Sequence, residues 1–383
     1  MTPPEPRRLK VLHLAFEDHR RPGSGGGSAR NRQVNRRLAQ RHDITVLTAG
    51  YAGAQDRTED GVRHEHVGIG RGYWVSLITY FLALPFVVRR RARDHDLVIE
   101  EFAAPISSVS VPRWTTTVTL AVVQWMDARG KSRQYKLPFF LLENAGVRSH
   151  RRFVAVSEDV GHQLHRRNPT AAVDVVPNGV EAEAFAVEPT TGEDIVFLGR
   201  LEIAQKGLDV LLDAYAEIAG AVGGRLLIAG DGPDRAALER RTTQLGLTDR
   251  VVFLGRVDGP DRLALLAGAR LVAMPSRYES FGMVAIEAQA CGSPVVATDI
   301  PCLREVVPHA SGRLVSPLTP AALGEALRAA YDDEALLAAA PVSGRDFARR
   351  YSWDQIALQQ EQAYLAAVDA EVAPSPVGAG DTR

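Results

Sequence analysis

The chain has 383 residues, a length at which one hydrophobic core usually gives way to two, so we expect two domains of similar size. Its composition, with 45% hydrophobic and 24% charged residues and a formal net charge of -1, is typical of a soluble globular protein and excludes a nucleic-acid partner held by bulk positive charge. The two cysteines, Cys291 and Cys302, are too few for a disulfide framework and lack the spacing of a zinc site. We therefore expect a cytoplasmic protein with no metal.

The N-terminal sequence, MTPPEPRRLKVLHLAF, places basic residues before an apolar stretch of about six residues. That stretch runs directly into Glu17 and Asp18, so it is too short for a signal peptide. It predicts a first strand at Lys10–Leu14.

The longest apolar run, residues 73–88, contains Pro85 and is shorter than the ~20 residues that cross a bilayer. Four arginines follow it at once: Arg89, Arg90, Arg91 and Arg93. Two interpretations remain open. The segment 73–93 is either a buried helix with a solvated basic end, or a helix that lies on the anionic inner face of the membrane.

Short β-branched runs alternate with longer helical segments in both halves of the chain, the pattern of βαβ units and parallel sheets. In the first half this predicts strands at 10–14, 44–48, 97–99, 118–123 and 153–156, with helices at 29–41 and 73–93. In the second half it predicts strands at 195–198, 225–229, 251–254, 271–273, 294–297 and 313–315, with helices starting near Lys206, Asp234, Asp261, Gly282 and Pro320. Each half is thus expected to be a doubly wound α/β sheet.

A turn-rich, polar segment beginning at Pro177-Asn178-Gly179-Val180 has the composition of an interdomain connection. We expect domains at 1–177 and 178–352 that face a cleft near this junction, and a C-terminal helix at about 353–370 that packs back onto the first domain. The tail at 373–383 is rich in Pro, Gly and small residues, and its composition predicts disorder.

A glycine-rich loop, residues 23–28, separates the first strand from a helix expected to open near Ala29. Glycines let the backbone approach a ligand, and amides at a helix start attract phosphate oxygens, so Gly26 and Gly27 are candidate contacts. Ser28 stands where a Gly-x-Gly-x-x-Gly fingerprint needs its last glycine, which argues against a nicotinamide-dependent oxidoreductase. A plain flexible loop is the alternative.

A second loop, residues 199–207, leaves the first strand of the second half and enters a helix. It carries Arg200 and Lys206, and two cations on a strand-to-helix loop can converge on a diphosphate, Arg as a fork and Lys as a point charge. The alternative is a pair of solvated surface cations.

The segment 279–287 places Glu279 in a loop and Glu287 on the second turn of a helix that Gly282 starts. Carboxylates accept hydrogen bonds from sugar hydroxyls, and the amides of the helix start can take the charge of a departing phosphate. A purely structural role for Glu287 is disfavoured, because a buried charge without a partner is costly.

These motifs together resemble glycosyltransferase family 4, whose members have the GT-B fold of two Rossmann-like domains facing a cleft. The matching features, which span essentially the whole chain, are Gly199-Arg200-Leu201 with Lys206-Gly207, the pair Glu279 and Glu287, Pro177-Asn178-Gly179-Val180, Val156-Ser157-Glu158 and Tyr351-Ser352-Trp353. The resemblance implies a retaining, metal-independent transferase that uses a nucleoside diphosphate sugar, with UDP or GDP as the nucleotide, and needs no cofactor.

The resemblance also implies a role for each motif residue. Arg200 and Lys206 would contact the diphosphate, Glu287 the ribose, and Glu279 with the amides of Phe281 and Gly282 the transferred sugar. The other candidate donor-binding residues are Gly26, Gly27, Val257 and Met283.

One position departs from the family pattern. Many relatives carry a histidine after the fourth strand of the N-terminal domain, whereas this chain reads Val122-Val123-Gln124-Trp125-Met126-Asp127. Gln124, Asp127 or no residue at all takes over that contact, and Gln124 and Asp127 join Glu279 as candidate catalytic residues. Two nearby segments, 100–102 and the basic run 129–136, are further candidates, with structural roles as the alternative.

The acceptor stays unidentified at this stage. Two other functions fit the same architecture: a sugar-nucleotide epimerase, and a non-catalytic sensor of nucleotide sugars. A donor-plus-acceptor assay separates all three.

Overall fold

The computed structural model describes residues 7–103, 111–190 and 192–372. Its contacts divide the chain into two compact units: unit 1 comprises Met1–Pro177 and Asp354–Arg383, and unit 2 comprises Asn178–Trp353. The tail at 373–383, which the sequence predicts to be disordered, lies outside the described residues.

The sheet of unit 1 has eight strands. They are β1 (Lys10–Leu14), β2 (Asp43–Ala49), β3 (Arg57–Glu59), β4 (Val62–Val67), β5 (Leu97–Phe102), β6 (Val118–Val123), β7 (Arg152–Ala155) and β8 (Ala172–Val175). Their order is β3-β4-β2-β1-β5-β6-β7-β8, and every neighbouring pair is parallel except the β3–β4 hairpin. The direction of winding reverses between β1 and β5.

The sheet of unit 2 has six strands, all parallel. They are β9 (Ile195–Leu198), β10 (Leu226–Ala229), β11 (Val251–Gly255), β12 (Leu271–Met274), β13 (Val295–Thr298) and β14 (Gly312–Val315). In the order β11-β10-β9-β12-β13-β14 the direction of winding reverses between β9 and β12. Ligands of such sheets bind beyond the carboxyl ends of the strands at this reversal.

Within the described residues, fifteen α-helices connect and cover the strands. They are α1 (Gly26–Leu38), α2 (Tyr73–Arg91), α3 (Ala128–Tyr135), α4 (Phe139–Ser149), α5 (Glu158–Arg167), α6 (Ala182–Ala186), α7 (Ile203–Lys206), α8 (Leu208–Ile218), α9 (Arg235–Gln244), α10 (Gly259–Ala267), α11 (Met283–Ala290), α12 (Pro301–Val306), α13 (Pro320–Tyr331), α14 (Glu334–Ala348) and α15 (Trp353–Val372). Short 3₁₀ segments lie at Ala92–Asp94, Val111–Arg113 and Arg349–Tyr351.

Three strands were absent from the sequence-based prediction: β3, β4 and β8. In β3 and β8 no residue is buried, and in β4 polar residues follow the buried Val62, so none of the three strands has the apolar run that predicts a strand. The first helix was also misplaced, because α1 begins at Gly26 rather than near Ala29.

The core of unit 1 lies between its sheet and helices such as α2. This helix buries Ser76, Tyr80, Leu84 and Val88, spaced by four residues along one face. Among the described residues, no helix combines the length and apolarity that crossing a membrane requires.

The C-terminal helix α15 contributes polar contacts to unit 1. Arg30 is 2% exposed and donates to Gln360 Oε1 over 2.7 Å, while His42 Nε2 lies 2.8 Å from Glu361 Oε1. At the exposed end, Arg37 Nε donates to Asp354 over 2.5 Å. These contacts join the last helix to residues of α1 and of the turn that follows it.

Candidate functional site

In unit 2, the candidate residues follow the two strands at which the winding reverses. Arg200 comes directly after β9; its side chain is 63% exposed and lies 3.6 Å from Glu202. Lys206 ends α7 and is mostly buried, with its Nζ 2.5 Å from Oε1 of Glu279, which follows β12. The structure therefore brings Lys206 and Glu279 into direct contact and leaves Arg200 in solvent.

Glu279 is held in a defined orientation. Oε1 also accepts a hydrogen bond from Ser276 Oγ over 2.9 Å, and the Glu279 backbone carbonyl accepts one from Cys302 Sγ over 3.2 Å. A lysine and a serine contact the same oxygen, Oε1, so the second carboxylate oxygen is available to a ligand.

The helix α11 begins immediately after this loop. Its N-cap, Gly282, has a φ of 101°, and a Cβ there would lie 2.6 Å from Leu303 Cδ2, so the position requires glycine. As a glycine, Gly282 has no side chain to cap the helix, and the first amides of a helix have no partners in its regular hydrogen-bond pattern. A partial positive charge therefore lies beside Glu279 and Lys206.

Glu287 lies on α11 and is 6% exposed. Its Oε1 accepts a hydrogen bond from Arg262 on α10 over 2.7 Å. Burial raises the pKa of Glu287, and Arg262 opposes this only in part. A structural pairing of Glu287, which the sequence alone disfavours, is present in the structure, because Arg262 supplies the partner.

The other donor-binding candidates in unit 2 differ in how far their side chains are buried. Phe281 is buried with its ring 5.7 Å from that of Tyr351, so only its backbone faces the loop. Met283 is the first residue of α11 and is half-buried. Val257 lies between β11 and α10 and is also half-buried.

In unit 1, a hydrogen-bond network joins the ends of β1, β5 and β6. Gln124 donates to Glu101 Oε2 over 2.8 Å and to the Gly27 carbonyl over 3.4 Å. Glu101 Oε1 lies 3.1 Å from His13 Nε2, whose ring also contacts Asn35. Gln124 and Gly27 are thus neighbours, and the amide of Gln124 is oriented by a carboxylate. Gly26 lies next to Gly27, at the first position of α1.

Asp127 and Glu100 have contacts of a different kind. Asp127 caps α3 by accepting a hydrogen bond from the Gly130 amide over 2.9 Å, while its catalytic role stays a prediction. Glu100 is buried 2.8 Å from His150, and Phe102 is buried too. Of the segment 100–102, Glu101 is therefore the residue that joins the polar network.

Two family models match the chain. One, described as Glycosyl transferases group 1, matches residues 192–333, and the other, Glycosyltransferase Family 4, matches residues 24–184. The D-inositol 3-phosphate glycosyltransferase of Jonesia denitrificans is 34% identical, and the match covers 93% of this chain and 95% of that protein. The chain belongs to glycosyltransferase family 4.

Other relatives of this glycosyltransferase match it in part. The phosphatidyl-myo-inositol mannosyltransferase of Mycobacterium leprae is 34% identical, and an uncharacterized glycosyltransferase of Methanocaldococcus jannaschii is 37% identical. The chain spans about half the length of each: 52% of the former and 56% of the latter.

Solved structures show that the glycosyltransferase has the GT-B fold. Sucrose-phosphate synthase from Thermosynechococcus elongatus has a TM-score of 0.79 at 22% identity, covering 95% of this chain and 100% of that one. HepE of Anabaena, solved with UDP and glucose, has a TM-score of 0.73 at 19% identity, covering 94% of this chain and 100% of that one.

Proposed function

We propose that this glycosyltransferase takes a sugar from a UDP- or GDP-sugar bound by unit 2 and transfers it with retention of anomeric configuration. The observation that carries the proposal is the grouping of Lys206, Glu279 and the uncapped start of α11 at the winding reversal of the sheet. It supplies positive charge for a diphosphate and a carboxylate for sugar hydroxyls in one place.

The Lys206–Glu279 ion pair suggests how the donor is accommodated. On binding, the Lys206 ammonium turns from the carboxylate to the diphosphate, and the exposed Arg200 folds in to add a forked contact. Glu279 then regains Oε1 for a hydroxyl of the transferred sugar. The ion pair thereby holds both side chains in place before the donor arrives.

Glu287 is suited to the ribose. Its carboxylate has about four lone-pair positions, of which Arg262 fills one among the described contacts. Two vicinal hydroxyls can donate to the remainder. Pairing with Arg262 opposes, in part, the effect of burial on the carboxylate and orients it as an acceptor.

Retention is supported by the chemistry of Gln124. A carboxamide is neutral and cannot act as a general base, and here its NH₂ group is directed to Glu101. The oxygen of the departing diphosphate is then the group that receives the acceptor proton on the face where the bond breaks. Lys206, Arg200 and the α11 amides stabilise the charge that remains.

A divalent metal is not part of this proposal, because Lys206, Arg200 and the start of α11 can supply the positive charge that a diphosphate needs. One Asp-x-Asp triplet does occur, Asp94-His95-Asp96, but it precedes β5 at the amino end of the strand, and Asp96 accepts a hydrogen bond from the Lys10 amide over 2.8 Å. Transfer measured in excess EDTA should continue, and loss that magnesium or manganese restores would contradict the proposal.

The acceptor is proposed from the relatives, whose names specify inositol 3-phosphate and phosphatidyl-myo-inositol. We infer an inositol phosphate or its lipid ester as the first acceptor class to test. The experiment incubates the protein with UDP-, GDP- and dTDP-sugars, with and without each acceptor, and identifies products by mass spectrometry. A new glycoside supports transfer; an isomerised donor without acceptor indicates an epimerase; binding without turnover indicates a sensor.

The donor site is tested by calorimetric titration of UDP and GDP. Lys206→Ala and Arg200→Ala should each weaken the affinity by about 10- to 150-fold, because a hydrogen bond to a charged group contributes roughly 1.5–3 kcal/mol. Arg225→Ala is the matched control, since that exposed arginine pairs with Asp194 at the amino ends of β9 and β10, whereas Arg200 follows the carboxyl end of β9. Unchanged affinity in both variants would remove this loop from the phosphate site.

We also propose that α2 lies on an anionic membrane surface. Opposite its buried face, the helix exposes Trp74, Ile78, Leu82 and Phe86, of which Phe86 is 72% exposed. Residues 73–93 contain no acidic residue, and the exposed arginines Arg89 and Arg90 lie at the end of the helix. An apolar stripe with a basic end is complementary to anionic lipid.

Vesicle sedimentation tests this membrane proposal. The protein should bind vesicles of phosphatidylcholine with phosphatidylglycerol, and each of Arg89→Gln and Arg90→Gln should weaken binding by about fivefold, corresponding to roughly 1 kcal/mol per charge. Trp74→Ser with Phe86→Ser should weaken it further, whereas Leu358→Ser, at a separate exposed leucine on α15, should not. Equal binding by all variants would contradict a role for this face.

A further inference from the structure

A cluster of three potential metal ligands lies in unit 1, apart from every residue assigned to the donor. It consists of His19, which follows β1, Glu59 on β3 and His64 on β4. One ligand atom from each residue lies within 4.8 Å of the other two. Among the described residues, this is the one such group of three. The segment after β1 is distant in sequence from the β3–β4 hairpin, and the two meet at that edge of the sheet.

Polar atoms around the cluster lack hydrogen-bond partners. His64 is 6% exposed and Thr48 is 1% exposed, yet His64 Nδ1 and Thr48 Oγ1 are buried without a partner, as is Nε2 of His19. Buried polar atoms in folded proteins are almost always satisfied by protein, water or an ion. All three residues line one small cavity of about 20 Å³, which has room for a single water.

The residue types suit metal ligation. The cluster offers two imidazoles and one carboxylate, and this combination is a common zinc ligand set.

The distances are close to those of a tetrahedral site. Ligands about 2.0–2.1 Å from zinc in tetrahedral geometry are about 3.3–3.4 Å apart. His19 Nε2 lies 3.3 Å from Glu59 Oε2, so these two atoms already span one tetrahedral edge. The ligand atom of His64 lies within 4.8 Å of both, and the cavity has room for a water as the fourth ligand.

We propose that His19, Glu59 and His64 form a zinc site whose fourth ligand is a water that donates a hydrogen bond to Thr48 Oγ1. Arg57 and Arg20 donate to Glu59 over 2.9 and 3.1 Å, and they act as outer partners that orient the carboxylate. The site joins the segment before the glycine-rich loop to the β3–β4 hairpin. Its role is structural, and it is independent of the proposed donor chemistry.

The test uses the full-length protein with any affinity tag removed, stripped with a chelator and titrated calorimetrically with Zn²⁺. We expect one zinc per chain and a melting temperature that rises with zinc concentration, because a ligand of the folded state stabilises it. Co²⁺ in place of Zn²⁺ should give the visible absorption of a tetrahedral site.

His64→Ala and Glu59→Gln should each weaken zinc binding by at least about 100-fold, since the loss of an outer partner alone costs 10–100-fold. His165→Ala is the control, because that histidine is exposed on α5. The affinity for UDP and GDP, measured on the same samples, reports whether each variant is folded. If His64→Ala does not fold, Glu59→Gln is the variant that tests the proposal. Absence of stoichiometric zinc binding by the wild-type chain, or equal binding by a folded variant, would overturn the proposal and assign the cavity to water.

Discussion

Asp18 in unit 1 and Glu287 in unit 2 are both buried carboxylates, but their surroundings differ. The side chain of Asp18 is fully buried and accepts hydrogen bonds from Arg57 over 2.8 and 2.9 Å, from His66 over 2.9 Å, and from the Arg20 amide over 2.9 Å. Burial alone would raise the pKa of Asp18, but these hydrogen bonds outweigh it and hold the pKa far below its usual range.

Glu287 shows the opposite balance. It has one hydrogen bond, from Arg262, among the described contacts, and burial raises its pKa. A buried carboxylate whose lone pairs are filled by protein belongs to the framework, whereas one with unfilled positions is suited to bind a ligand. The two residues therefore predict different consequences when each is made neutral.

The largest expected effect is on stability. Asp18→Asn should lower the free energy of unfolding of unit 1 by about 3–5 kcal/mol, because it leaves Arg57 without its buried partner. Denaturant titration of the full chain measures the change. Asp56→Asn is the control, since Asp56 contacts His66 from a position that is 67% exposed. A loss as small as that of the control would mean that Asp18 is not a framework carboxylate.

Next in size is the effect of Glu279 on turnover. Glu279→Gln should lower kcat by roughly 100-fold, because the transferred sugar loses the group that positions it. Affinity for bare UDP or GDP should remain near that of the wild type, since neither nucleotide carries that sugar. Glu202→Gln serves as a control in the neighbouring loop. A loss of nucleotide affinity with normal kcat would assign Glu279 to the nucleotide instead.

A smaller effect is expected at the ribose. Glu287→Gln should raise the donor KM by about tenfold or more with a lesser change in kcat, because the ribose contact is the same before and during reaction. Its free energy of unfolding should change far less than that of Asp18→Asn. Steady-state kinetics and denaturant titration on one preparation of each variant compare the two substitutions directly. A stability loss in Glu287→Gln equal to that in Asp18→Asn would show that Glu287 is a framework carboxylate as well.

The smallest expected effect is on pH dependence. Because the pKa of Glu287 is raised above 4.5, nucleotide affinity should fall with decreasing pH at a midpoint above that value, and Glu287→Gln should lack this step. The pKa of Asp18 is lowered, so its stabilisation is complete above the unfolded pKa of about 3.9 and is lost only as pH falls through the lower folded value. Affinity of wild type and Glu287→Gln that declines in parallel would assign the step to another group.

The sequence predicted most of the fold and, of the two carboxylates compared above, named Glu287 as a candidate site residue. Apolar runs located β1, β6 and β9 with the bounds that the structure has, and motif spacing located Glu279 and Glu287. The short polar strands β3 and β4 gave no such signal. Because these strands were not predicted, the hydrogen bonds to Asp18 could not be predicted either, since Arg57 lies on β3 and His66 on β4.

Other contacts depend on tertiary packing that no local pattern encodes. Arg262 lies 25 residues before Glu287, and His13 is a central-strand residue that reads as part of an apolar run. The periodicity of α2 showed apolar residues on two faces, but only the packing of the sheet decided which face is buried.

The polypeptide of unit 1 is interrupted by the whole of unit 2, and this affects the order in which a newly made chain can fold. Residues 1–177 leave the ribosome before unit 2, but Arg30 has no Gln360, and His42 no Glu361, until all of unit 2 has been synthesised. Unit 2 is contiguous and can be completed earlier. The nascent chain can therefore complete its second unit before its first, and during that interval Arg30 has its contact with the Pro177 carbonyl but not its contact with α15.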